Sequence, residues 1–163
     1  MTTIRTATLI HRRGMRFETT TGSGRSLVWG DASAEGELSP METVTVALGA
    51  CSAMDVVSIA AKKRQRIERY TVHVRGEQRD EYPQVLTRID VTHEVEGPRV
   101  EEAAIRRCIE LSATKYCPVN AMLSAGATEV HHRYIVRKTG PGAFEAAGEV
   151  VVTGPYRRPD VVA

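Results

Sequence analysis

Aromatic residues are scarce in this chain: Phe, Trp and Tyr together make up 5% of its 163 residues. A core built from such a sequence has to be aliphatic, drawn from Val, Ala, Ile and Leu. Charge of one sign is lacking too, since 22 Lys and Arg against 20 Asp and Glu leave a formal charge of only +2. That balance argues against nucleic acid or an anionic membrane as partner. Three cysteines, an odd number, do not make a secreted disulfide framework. A reducing, cytoplasmic setting is the expectation, where any disulfide is transient and catalytic. Met1-Thr-Thr-Ile-Arg-Thr-Ala shows no basic region leading into an apolar stretch, so no signal peptide is expected. The spacings HxxxH and CxxC do not occur, which argues against a metal site, and nothing points to a cofactor. Ser52 lacks the flanking glycines of a hydrolase elbow, and no serine triad is visible.

What remains is a chain of single-domain length with two cysteines in unlike settings. Residues 3 to 30 read as short strands with turns at Arg13-Gly14 and Gly22-Ser-Gly24. Ala32 to Leu38 is small and polar, a loop. Ser39-Pro40-Met41-Glu42 then opens a helix: Ser39 at the N-cap, Pro40 at the first helical position, Glu42 closing a capping box. The helix is expected to run to about Arg66. Apolar residues from Val44 to Ile59 spread round its circumference, which predicts a central buried helix. Thr43, Thr45, Ser52 and Asp55 interrupt the run, making it a poor membrane span. Gly49 costs helix propensity and is expected to admit another backbone near the turn that holds Cys51.

From Arg69 the hydrophobic period switches to two. Tyr70, Val72 and Val74, then Val85, Thr87, Ile89, Val91 and His93, predict an antiparallel hairpin. A second helix is expected from about Val100 to Ala113, a short one after Cys117, and a strand from Thr128 to Arg137. Beyond Thr139 the breakers Gly140-Pro141-Gly142, Gly148, Gly154-Pro155 and Pro159 leave Glu149–Val152 as the one possible strand. The organisation expected is therefore a domain over 1–139 and a C-terminal extension over 140–163. The fold class is α+β, an antiparallel sheet wrapped round one long helix.

Cys51, in mid-helix among apolar neighbours, is either a small core residue or a reactive thiol. An apolar surround raises a thiol's pKa, so reactivity would need a cation. Arg12, Arg13, Arg16 and Arg25 are the candidates. Cys117 precedes Pro118 and so stands at or near a helix N-cap, where free N–H groups favour a thiolate; a plain cap residue is the alternative. Glu42 is a cap residue that could also orient an arginine. Cys108 lies on the core stripe of its helix. His131 and His132 point to opposite faces of one strand, and His93 sits on an apolar face as a core histidine.

The run from Ser39 to Ile59 around Cys51, followed by Leu111-Ser-Ala-Thr-Lys-Tyr-Cys117 and Ala121-Met-Leu, resembles the OsmC/Ohr family of osmotically inducible and organic hydroperoxide resistance proteins. It looks closest to the YhfA-type, OsmC-like branch, over residues 4 to 137. The resemblance implies an intertwined homodimer with two interfacial sites. It also implies thiol-dependent reduction of organic hydroperoxides. In that chemistry Cys51 matches the attacking cysteine, Cys117 the resolving one, and a small dithiol of the lipoyl type the reductant. Where the hydroperoxide-resistance branch has glutamate directly after the proline, this chain has Met41, with Glu42 one place later. Arg12 is the nearest match to that branch's activating arginine. This departure keeps a second expectation open: a non-catalytic protein that senses redox state or binds an apolar ligand.

Overall fold

The computed structural model describes residues 2–31 and 35–154. The expected breaks at Pro155 and Pro159, and the first part of the loop from Ala32, lie outside the described residues. The chain divides into two compact units, Met1–Val44 and Thr45–Ala163.

The first unit is a three-stranded antiparallel sheet, β1 (Ala7–Arg13), β2 (Arg16–Thr21) and β3 (Ser26–Trp29), in that order. Both connections turn at glycines with positive φ, Gly14 at 51° and Gly24 at 78°, a conformation that costs glycine little. The unit closes with the start of α1 (Pro40–Lys62). The capping box forms as expected: the Ser39 N–H donates to Glu42 at 2.8 Å, and the Glu42 N–H donates to Ser39 Oγ at 3.2 Å.

In the second unit α1 ends at Lys62 rather than near Arg66. Arg64 adopts φ 56°, Gln65 N–H returns to the Ala60 carbonyl and Arg64 N–H to that of Ala61, each at 3.0 Å. This is a Schellman stop, built on an arginine where glycine is usual. One row of the helix is buried, comprising Leu48, Ser52, Val56 and Ala60. On the opposite side Val46, Met54 and Val57 are 60%, 74% and 48% exposed, so a single chain does not bury α1 all round. Among the described residues α1 is the one helix long and apolar enough to cross a membrane by length and composition, a property that core helices share. Gly49 does admit a close neighbour, but that neighbour is a side chain: a Cβ there would lie 2.9 Å from Val74 Cγ2.

The sheet of this unit runs β4 (Arg69–Gln78), β5 (Leu86–Gly97), β6 (Glu129–Lys138), β7 (Phe144–Thr153). β4 and β5 form the expected antiparallel hairpin, with Tyr70 opposite Val95 and Val72 opposite His93. β5 and β6 are parallel, with Val91 opposite His132, so the sheet is mixed rather than wholly antiparallel. The crossover between them carries α2 (Glu102–Leu111), a π-helical turn (Ser112–Tyr116) and α3 (Pro118–Ser124). Parallel pairing requires such a long connection. β7 lies in the segment read as an extension, and it pairs with β6 along its whole length. Val56, Ala60, Val95, Val100, Ile105, Cys108, Ile109 and Val136 form the core, with Phe144, Ala146 and Val150 packed against it.

Candidate functional site

Three chemically active side chains of the second unit converge. Cys51 lies in the middle of α1, and Asp55 follows one helical turn later on the same face. Cys117 arrives from the far end of the crossover. Its N–H bonds the Ser112 carbonyl at 2.9 Å, the i to i−5 closure of the π turn. Pro118 starts α3, leaving Cys117 at its N-cap, and the thiol accepts the Asn120 N–H at 3.3 Å. Cys51 Sγ, Cys117 Sγ and a carboxylate oxygen of Asp55 all lie within 4.8 Å of one another. Ser112 Oγ donates to Asp55 at 3.0 Å. With its one proton so used, Ser112 accepts from Ser52, 3.3 Å away. The carboxylate is thereby held in place.

The cap at Cys117 is where the sequence puts it, but its electrostatic effect is not the one expected. Cys117 is 2% exposed, and burial, with a hydrogen bond to Cys51, pushes its thiol up to about 12. Desolvation outweighs the Asn120 N–H, and a seven-residue helix adds little. At neutral pH Cys117 is a neutral thiol placed to donate toward Cys51. Cys108 is wholly buried in the core, and burial raises its pKa as well.

A second polar assembly runs through the core behind α3, and only part of it is legible in the sequence. Tyr70 Oη lies 2.7 Å from His93 Nδ1, His93 Nε2 lies 3.3 Å from His132 Nδ1, and His132 Nε2 lies 3.0 Å from Asn120 Oδ1. Asn120 Nδ2 donates to the Ala113 carbonyl at 2.8 Å and to Thr153 Oγ1 at 3.1 Å. A carbonyl can only accept, so the amide's orientation is fixed and each direction follows. His132 donates to Asn120, His93 donates to His132, and Tyr70 donates to His93. Both imidazoles are neutral: burial lowers His93 to about 3 and His132 to about 4. The same burial raises Tyr70, whose phenol keeps its proton. His93 is the satisfied core histidine that was expected, but its partner His132 was missed. His131 does face the other way, toward Glu129 and Glu149.

Arg12 and Glu42 belong to the first unit, where each has a local partner. Arg12 holds Glu18 through Nε at 2.9 Å and Nη2 at 2.7 Å. Arg16 holds Glu37 at 2.7 Å, and the Arg25 N–H donates to Thr21 Oγ1 at 3.1 Å. Glu42 is held below the usual carboxylate range by the Ser39 N–H and hydroxyl. The structure thus brings Cys51 and Cys117 together and adds Asp55. In the sequence Asp55 reads only as a break in an apolar run, although its place four residues after Cys51 is the spacing of a shared helix face.

The profile of OsmC-like proteins matches residues 30–133 of this chain. The chain belongs to the OsmC-like family. Protein YhfA of Escherichia coli K12 is 39% identical over 123 residues, 76% of this chain and 91% of that one. An OsmC-like fold is also seen by structure. A hypothetical protein from Aquifex aeolicus superposes with a TM-score of 0.77 at 27% identity, covering 85% of this chain and all of that one. An organic hydroperoxide resistance protein from Elizabethkingia anophelis gives 0.65 at 13% identity over 85% of this chain and 99% of its own. That last likeness concerns the fold alone. Within the OsmC-like frame both cysteine segments occupy neighbouring elements of one unit.

Proposed function

We propose that this OsmC-like protein is a thiol-dependent peroxidase that reduces organic hydroperoxides. The observation that carries the reading is the approach of Cys51 and Cys117 to within 4.8 Å. Cys51 attacks the O–O bond, taking one oxygen as a sulfenic acid and releasing the alcohol once a proton reaches the leaving oxygen. Cys117, still a thiol, then attacks that sulfur, forming a disulfide and expelling water. A small dithiol of the lipoyl type returns the pair to the reduced state by thiol–disulfide exchange. Burial supports this order of roles: Cys51 is half-buried and open to a hydroperoxide, whereas Cys117 is 2% exposed and waits behind it. Arg12 is proposed to activate Cys51, with Glu42 as the carboxylate that orients the arginine, and no metal or cofactor enters these steps.

The exposed apolar row of Val46, Met54 and Val57 supports the proposed homodimer, in which two copies cover this face of α1. A cytoplasmic location follows from the same thiol chemistry. One observation favours a second reading, an apolar-ligand-binding or redox-sensing protein. A groove of about 460 Å³ runs along Val46, Gly49, Ala50 and Ala53 of α1 and Tyr70, Val72 and Val74 of β4. One experiment separates the two. Reduced protein is mixed with cumene hydroperoxide and its thiols are counted over time. Two thiols lost per hydroperoxide consumed, and none in Cys51→Ser, is the expected result. A full thiol count after prolonged exposure would sink the peroxidase reading and leave the binding one.

A further inference from the structure

Two sulfurs and a carboxylate oxygen within 4.8 Å make a donor set that a thiophilic divalent cation uses. Zinc takes thiolate at about 2.3 Å and carboxylate oxygen at about 2.0–2.2 Å in tetrahedral sites. Such a site separates its donors by roughly 3.5–3.8 Å, so the three atoms, within 4.8 Å of one another, need draw in by at most about 1.3 Å. Two of them already share one face of a rigid helix, and the third is fixed by the α3 cap. The carboxylate is held from outside by Ser112, with Ser52 behind it. Such outer hydrogen bonds orient ligating carboxylates and raise affinity. Cys51 is half-buried, which leaves a path for the ion and for water as fourth ligand. The spacing rules HxxxH and CxxC do not detect this set, because Cys51 and Asp55 stand at i and i+4 while Cys117 comes from another helix.

We propose that reduced Cys51, Asp55 and Cys117 form a binding site for Zn²⁺ or a like cation that competes with oxidation of the thiol pair. Binding releases the two thiol protons to solvent and leaves two thiolates on the metal. The competition rests on the peroxidase reading, whereas the binding does not. In the competing reaction the hydroperoxide O–O bond breaks and the S–S bond forms. Two protons come from solvent, alcohol and water leave, and the metal departs as the free divalent ion.

Co²⁺ is the probe, titrated into the intact, chelator-treated, reduced chain. One equivalent should produce a sulfur-to-cobalt charge-transfer band and tetrahedral visible bands, both removed by Zn²⁺. Cys51→Ser and Cys117→Ser should each halve the charge-transfer intensity and weaken binding tenfold or more. Asp55→Asn should weaken binding about tenfold at full charge-transfer intensity, and Cys108→Ser should change neither. A measurement without variants supplements these: Zn²⁺ should slow alkylation of Cys51 by iodoacetamide at least tenfold in the wild type. Absence of the charge-transfer band, its survival in both serine variants, or unprotected alkylation would overturn the proposal. Cobalt binding by a chain that ignores cumene hydroperoxide would uphold this site and sink the peroxidase reading. The reverse outcome would do the opposite.

Discussion

Lowering the pH from 8 to 5 should remove about 4 kcal/mol of folding stability, and two buried imidazoles should account for it. His93 and His132 are wholly inaccessible to solvent, and burial holds them at about 3 and about 4, against 6.5 for free histidine. In the unfolded chain both take up protons as the pH falls below 6.5, while in the folded chain neither does until much lower. The unfolded state therefore binds more protons across this window, and stability falls as pH falls. The stabilisation is complete above pH 6.5 and lost progressively toward the folded values of about 3 and 4. Each group forgoes about 2 kcal/mol by pH 5 and about half that by pH 6. The lowered carboxylates Glu42, Asp90, Glu94 and Glu149 start from ordinary values of 3.8 to 4.5, so their losses fall mostly below this window. Urea unfolding at pH 8, 7, 6 and 5, at one protein concentration, reads the effect directly. With a slope of about 2 kcal/mol per molar, the midpoint should drop by about 2 M. Equal midpoints at pH 7 and pH 5 would refute the reasoning, as would assigned His93 and His132 resonances titrating near pH 6.5 in the folded chain.

Tyr70→Phe removes the donor to His93 Nδ1 and leaves a buried acceptor empty, which should cost about 1–3 kcal/mol at pH 8 by urea unfolding. Gly49→Ala should destabilise by about 1 kcal/mol or more despite the better helix former, because its Cβ would meet Val74 Cγ2 at 2.9 Å; Val74→Ala in the same chain should recover most of that loss. Truncation after Thr139 deletes β7 and the buried Val151, and should lower the melting temperature by about 10 °C or more. An unchanged melting curve would return the segment to the status of an appendage. Cys108→Ala should cost about 1–2 kcal/mol as a small core cavity while thiol oxidation by cumene hydroperoxide keeps its wild-type rate.

Local chemistry was the legible part of this chain. The Ser39–Glu42 box and the Cys117-Pro118 cap are decided by residues three or fewer apart, and both stand where the sequence puts them. The hairpin of β4 and β5 is legible for the same reason, since alternation and a short connection settle its pairing. The parallel β5–β6 ladder is not local. Its register depends on how the α2 to α3 crossover packs, and no periodicity in either strand records it. The histidine chain inherits that difficulty, because His93 meets His132 only once the parallel register has set Val91 opposite His132. β7 is legible only in part, because its burial is sparse and its approach carries Gly140-Pro141-Gly142, turn residues that also read as breakers. At Cys117 the motif was legible and its acidity was not, since depth of burial belongs to the packed fold.

The meeting of Cys51 with Cys117 has a consequence for the chain as a polymer. A bond between those sulfurs would close a loop of about 66 residues that contains β4, β5 and α2. Loop-closure entropy makes such a cross-link worth about 4 kcal/mol against the unfolded state when the native geometry accepts it without strain. Oxidised and reduced copies would then unfold at different frequencies, the reduced far more often. A protease or a brief heat pulse that samples the open chain would deplete the reduced copies first, leaving a population whose surviving fraction records how much oxidant it had met.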